Sequence, residues 1–229
     1  MDVHLPKPMH GWREFVGEVG IIVLGVLIAL GAEQVVETLH WRREVSAERT
    51  SLNHEARDML GAIQTRQAQQ ACVDRRLAEI SDIFRRHQRG GPFHVAAPVG
   101  RPSWASATRG TWQIALAGQA LSHMSHAEKL GFSNAFGSFD KWDEATAAES
   151  EPWFQLAMLN YPDTLNEVDW SSLHAAYARA VVINERMRRL APYYLQKIPR
   201  DLHLSDVRSE DPPGFSRLTD EICQPLLKG

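Results

Sequence analysis

His123 and His126 stand three residues apart, the H-x-x-H spacing that brings two imidazoles together at a helix junction. A structural zinc site takes four ligands and a catalytic one three. No third ligand stands at a readable spacing, so the pair reads as polar residues around a helix start. His87 and His94 flank a glycine loop and read as surface residues. Asp140, Asp143 and Glu144 put carboxylates on neighbouring turns with Lys141 among them, the pattern of a solvated face. Arg75 and Arg76 follow Cys72 closely, and such positive charge lowers a thiol pKa, so a redox cysteine is one reading of that stretch. G-x-S-x-G, H-E-x-x-H, Walker and dinucleotide-binding patterns are absent from the sequence. With neither a nucleophile–base pair nor a metal set legible, no catalytic, cofactor-binding or metal residues are assigned. The expectation is a protein that is not an enzyme and needs no cofactor.

The two cysteines, Cys72 and Cys223, are far apart and lie in no C-x-x-C or Cys/His pattern. An isolated pair suits one structural disulfide in an oxidising compartment; two unrelated buried thiols are the alternative. A disulfide would strap the C-terminal tail across the first helical hairpin. Closing so long a loop stabilises by about 4–5 kcal/mol in the chain-entropy model.

These residues depend on an apolar run that Trp12 and Trp41 bracket. It extends from Phe15 to Ala32, and its uncharged core is Val19–Ala32 between Glu18 and Glu33. As a helix, the path from Trp12 to Trp41 covers roughly 43 Å, about a bilayer with its headgroups, where tryptophan rings sit. The segment 14–36 therefore reads as a membrane span, with Trp12 and Trp41 at the two interfaces. A cleaved signal peptide is the rival, with Lys7 and Arg13 as its basic region and Ala29-Leu30-Gly31 as a cleavage site. Glu14, Glu18 and a helical pattern that continues past the site oppose it. Gly25, Ala29 and Ala32 share one face, and small residues so spaced let membrane helices approach closely. Basic residues nearly balance across the run, so charge alone does not set the orientation. The cysteines favour a periplasmic location after residue 36.

The chain has 229 residues and a net charge of −3. That balance leaves no basic footprint for nucleic acid. Residues 33–89 contain a single glycine, Gly61, and no proline, and read as helix. Val36, Leu39, Val45, Leu52, Ala56, Met59, Leu60 and Ile63 form a thin apolar stripe, the pattern of a charged stalk packed on one side. Val73, Leu77, Ile80, Ile83 and Phe84 form a second. A bend near Gln67–Gln70 would make two antiparallel helices; without it there is one long helix. Residues 90–102 read as a loop. Ser103 offers a cap for a helix through Trp112, Leu116 and Leu121. Ser125–Glu128 is a capping box for a helix bearing Leu130, Phe132, Phe136, Phe139 and Trp142, broken at Tyr161-Pro162. Asp169 offers a cap for a helix from Trp170 to Leu190, with Leu173, Tyr177, Ala180, Val181 and Ile183 inward and Arg186, Arg188 and Arg189 at its C-terminal end. Trp104, Trp112, Trp142, Trp153 and Trp170 read as packing anchors, with a ligand pocket among them as the alternative.

The anchor residues Glu14-Phe15, Glu18, Ile21-Ile22 and Gly25-Val26-Leu27-Ile28-Ala29-Leu30, followed by Trp41 in a charged helix, resemble the opening of a family of bacterial single-pass membrane proteins of unassigned activity. Thr111–Ala117 and Leu121-Ser122-His123-Met124 are similar to a segment of some members. The resemblance implies a short cytoplasmic start and a helical exported domain. It carries over no catalytic residues.

The expectation is an all-α inner-membrane protein. It has a cytoplasmic N-terminus at 1–13, a span at 14–36, an exported helical domain at 37–198, and an extended tail at 199–229 tied back by Cys223. Its expected partners are membrane lipid and a protein, either a second copy or a larger membrane complex, held through the span and stalk. A periplasmic sensor that signals through a membrane partner is the alternative.

Overall fold

The computed structural model describes residues 11–103, 110–205 and 221–227. Lys7, Trp104 and the prolines at 212 and 213 lie outside them. The order is α1 (Gly11–Ala68), α2 (Gln70–Gln88), α3 (Gly110–Ala117), a 3-10 turn (Ala120–His123), α4 (His126–Leu156), two further 3-10 turns (Ala157–Asn160 and Pro162–Thr164) and α5 (Glu167–Asp201). Among the described residues the only β pairing is an isolated antiparallel bridge, Val95 with Leu227. The chain is all-α, as its patterning predicts. It divides into two units, Met1–Glu48 and Arg49–Gly229.

In the first unit α1 includes one stretch long and apolar enough to cross a membrane. No face of it is covered: Ile21 is 74% exposed, Leu27 61% and Ile28 64%. Water does not favour a helix that is apolar all round, whereas lipid does. Val36 and Leu39 are exposed as well, so the predicted stripe does not begin there.

In the second unit α1 is a core helix rather than a solvated stalk. Leu52, Ala56, Met59, Leu60 and Ile63 are fully buried. The break near Gln67–Gln70 exists but does not reverse the chain. Gln69 keeps right-handed helical dihedrals, φ −77° and ψ −6°. Its N–H donates to the Thr65 carbonyl at 3.2 Å, and its carbonyl accepts from Val73 at 3.0 Å. One residue with a flattened ψ kinks the path; a hairpin requires several residues outside the helical region. The Gln69 side chain is buried and accepts the Ser103 N–H at 2.8 Å, which ties the following loop to the kink.

Ser103 therefore caps no described helix. α3 begins at Gly110, and its first free N–H groups are met from another element. Thr111 N and Trp112 N donate to the two carboxylate oxygens of buried Glu55, at 3.2 and 2.9 Å. Such a carboxylate satisfies donors that a helix start leaves orphaned. Gly118 ends α3 by donating to the Ile114 carbonyl.

The capping box at α4 is present: Ser125 Oγ accepts from Glu128 N, and Glu128 accepts from Ser125 N. That capping, offset by partial burial and helped by Arg49, holds the Glu128 carboxyl below its ordinary range. α5 starts earlier than Asp169 suggested. Asn166 is its cap, and Asp169 is the reciprocal partner whose carboxylate reaches back to Asn166 N at 2.9 Å. α5 also passes the expected stop at Leu190, running through Pro192 and Pro199 to Asp201. Ala191, Tyr194 and Ile198 extend its buried stripe, and that packing outweighs the hydrogen bonds the prolines forgo. Arg186, Arg188 and Arg189 are consequently mid-helix. Val181 is 39% exposed rather than inward.

α4 and α5 form the principal helix pair, and α2 packs on α5. Gly131 is required for that pairing: a Cβ there would lie 2.9 Å from the Asp201 carbonyl oxygen.

Candidate functional site

Polar residues interrupt the buried helical stripes, and those at Arg66, Glu149 and Asn184 meet one another. On α4 the stripe Trp142, Ala145, Glu149, Pro152 and Leu156 carries Glu149 at its centre. On α5 the stripe Leu173, Ala176, Ala180, Asn184 and Met187 carries Asn184. At the end of α1, Arg66 is 2% exposed. A charge in such a place needs an opposite charge and hydrogen bonds, and the fold brings them together. Arg66 donates in a fork to Glu149, Nε to Oε2 at 3.0 Å and Nη2 to Oε1 at 2.6 Å. Nη2 also donates to Asn184 Oδ1 at 3.0 Å, and Nη1 to Gln70 Oε1 at 3.2 Å. Gln70 and Asp74 continue the Arg66 face in steps of four. The Gln70 amide donates to Asp74 Oδ1 at 2.8 Å and to Asn184 Oδ1 at 3.0 Å. Asn184 Nδ2 and Arg188 Nη2 complete the set on Asp74 Oδ1, at 2.8 and 2.7 Å. Partial burial acts to raise the Asp74 carboxyl, but the hydrogen bonds from Asn184, Arg188 and Gln70 outweigh it and hold the group below its ordinary range. The network joins α1, α2, α4 and α5. Its groups satisfy one another, and by tying four helices together through directional bonds it fixes their register.

A second polar centre holds the tail. Cys72 and Cys223 stand at disulfide distance with Cα atoms 4.8 Å apart, as predicted. They bridge α2 and the tail rather than a helical hairpin and the tail. One turn along α2, Arg76 is fully buried. Nη1 donates to the Pro98 carbonyl at 2.6 Å and to that of Val99. Nη2 donates to the carbonyls of Glu221 at 3.1 Å, Ile222 at 3.3 Å and Gln224. Nε stands 3.2 Å from Glu79 Oε2. Burial lowers the Arg76 pKa and the Glu79 charge opposes that shift. Glu79 Oε1 in turn accepts the Leu226 N–H at 3.0 Å. Ile222 and Leu226 are fully buried in a core cluster with Val73, Ile80, Trp153 and Leu173. Gly100, at φ +64°, permits the approach, since a Cβ there would lie 3.1 Å from Ile222 N.

The other sequence candidates do not assemble. His123, His126, His94, Asp140 and Glu144 are exposed, and Asp143 is half-buried. Among the described residues no group of three His, Cys, Asp or Glu could hold a metal. His87 is not simply a surface residue: its ring stacks on Trp170 at 3.8 Å. Trp142, Trp153 and Trp170 are buried anchors, and Trp112 stacks on Phe136 at 4.8 Å. A cleft of about 300 Å³ opens among Arg49, Asn53, Glu128, Asp201 and His203, and a shallower one beside Asp74, Tyr177 and Arg188. Neither is lined by a tryptophan.

In the first unit, Trp12 is 77% exposed, and the Trp41 indole N–H donates to Glu37 at 3.4 Å. Gly25, Ala29 and Ala32 are exposed on one face, and a Cβ on Gly25 would meet nothing within 4 Å.

Sequence reasoning missed Arg66, Glu149, Asn184 and Arg76. Part of their signal was available: each shares a helical stripe with apolar residues three or four positions away that are buried, Ala62 and Ile63 for Arg66, Ala145 and Trp153 for Glu149, Ala180 and Met187 for Asn184, and Val73 and Ile80 for Arg76.

The fold and these centres define an all-α chain with, among the described residues, one helix long and apolar enough to cross a membrane and a helical unit built around two polar cores. No family model, no curated protein and no solved structure matches the chain.

Proposed function

We propose that this is a single-pass protein of a bacterial inner membrane. Its N-terminus is cytoplasmic and its helical unit periplasmic, and it works as a structural or interaction subunit, either with a second copy or within a larger membrane complex. The observation that carries this reading is the uncovered apolar stretch of α1, which asks for lipid and for another helix rather than for water. The cysteine pair at disulfide distance supports an oxidising compartment for the second unit. Gly25, Ala29 and Ala32 offer the face by which another helix would approach. The sensor reading has less support, because Trp142, Trp153 and Trp170, three of the tryptophans that would form its pocket, are packed in the core.

The test is Gly25→Leu with Ala29→Leu in the full chain, purified from membranes in mild detergent beside the wild type. Native mass analysis should show the wild type with a stoichiometric partner or as a homo-oligomer. The variant should lose that species while its helical unit keeps the same thermal melt. An unchanged assembly in the variant removes the span as the contact surface. A wild-type monomer with no partner removes the subunit reading.

A further inference from the structure

We propose that Arg76 is the lock that seats the C-terminal segment 221–227, and that the Cys72–Cys223 bond is a reducible outer latch over it. The two layers differ in access. Cys72 and Cys223 are half-buried, whereas Arg76, Ile222 and Leu226 are fully buried. A soluble reductant therefore reaches sulfur before it reaches the lock.

The layers also differ in what they hold. The disulfide ties a single point of the segment to α2. Arg76 gathers the carbonyls of Glu221, Ile222 and Gln224 from the tail and those of Pro98 and Val99 from the loop into one guanidinium. Without that cation all five lose their shared donor, and the buried Val99 and Ile222 carbonyls lose it out of reach of water, at a cost each. Glu79 balances the Arg76 charge with one carboxylate oxygen and takes the Leu226 N–H with the other. Beyond it the Leu226 carbonyl accepts Ala96 N at 2.8 Å, and Val95 pairs with Leu227. None of these contacts involves sulfur.

A dithiol reductant transfers two electrons and two protons to the bond, is itself oxidised to a disulfide, and leaves two thiols on this chain. Those thiols stay opposed because the segment stays seated. One thiolate then attacks oxidised glutathione, giving a mixed disulfide and one glutathione thiol, and the other displaces the second glutathione intramolecularly, so the fraction re-formed with time is independent of protein concentration.

The test is hydrogen exchange by mass spectrometry on the full chain in detergent, read on peptides bearing the Leu226 and Ala96 amides. In wild type, dithiothreitol should change their protection against local opening by less than about threefold, because the tether's stabilisation acts on the globally unfolded chain. In oxidised Arg76→Met the same amides should exchange about 30-fold faster although the tether is intact, the scale expected for losing charge-assisted hydrogen bonds. Glu79→Ala, which keeps the guanidinium, should raise exchange about tenfold by the same reasoning and serves if Arg76→Met does not fold. Reduced wild type that exchanges as fast as oxidised Arg76→Met overturns the proposal, because the disulfide would then be the lock. Unchanged protection in both variants overturns it equally.

Discussion

Breaking the Arg66–Glu149 pair one side at a time should be far more damaging than replacing both partners. The two side chains are 3% and 0% exposed, and their closest approach is 2.6 Å. In Glu149→Leu, Arg66 keeps its charge and two neutral acceptors, the Asn184 and Gln70 oxygens. An uncompensated buried charge of this kind costs about 3–5 kcal/mol. Arg66→Met strands the Glu149 carboxylate at a similar cost. In Arg66→Met with Glu149→Leu no charge is stranded. Asn184 Oδ1 still accepts from Gln70, and the main remaining loss is the donor to Gln70 Oε1, about 1–3 kcal/mol. The single costs sum to roughly 6–10 kcal/mol on those figures, so the coupling is at least about 3 kcal/mol. The whole stability of such a unit is about 5–15 kcal/mol, so each single variant should come close to unfolding. The assay is urea unfolding of the full chain in mild detergent, followed by fluorescence of the buried Trp142 and Trp153, with the m-value checked for constancy. Additive single costs, or a coupling that disappears in 1 M salt, would show that the pair is solvated and would refute the buried-pair argument.

Two smaller perturbations probe the helix pairing and the rim of the network. Gly131→Ala drives a methyl to 2.9 Å from the Asp201 oxygen and should cost about 1–3 kcal/mol, whereas Gly137→Ala, with nothing within 4 Å, should be neutral or stabilise by up to about 1 kcal/mol; equal effects on the urea midpoint would remove the close approach of α4 and α5. Asp74 has a depressed carboxyl, below 3.8, in the folded state, so its contribution is complete above the unfolded value and is lost as pH falls through the folded one. The gap in urea midpoint between wild type and Asp74→Asn should therefore be full at neutral pH and shrink as pH falls through the unfolded and then the folded value, and a gap that does not change with pH would contradict the shift.

Local signals in the sequence were legible where one element satisfies itself. The Ser125–Glu128 box is such a case, because both its partners lie within one turn. The apolar stretch of α1 is another, since its exposure follows from composition alone. The disulfide was legible through arithmetic, there being two cysteines and no other pattern. Ser103 and Asp169 mark where local reading failed. At α3 the first donors are met by Glu55, which lies 56 and 57 residues away in sequence, so no window over 103–121 contains the answer. At α5 the capping residue was a neighbour of the one chosen, and the two side chains cap each other.

What the sequence by itself determined was the all-helical class and the apolar stretch of α1, and it narrowed the cysteines to one candidate pair. Each rests on periodicity, composition or count, which survive without knowledge of the fold. Only the tertiary structure decided that the kink at Gln69 does not reverse the chain and that α5 continues through two prolines. It alone decided that Arg66 meets Glu149 and that Arg76 gathers carbonyls from segments 22 and 145 residues away. The physical reason is the same in each case. A buried charge or a helix proline is unfavourable locally, and its sign is reversed by partners that sequence distance hides. The polar interruptions of the stripes mark where such partners must exist; only packing identifies them.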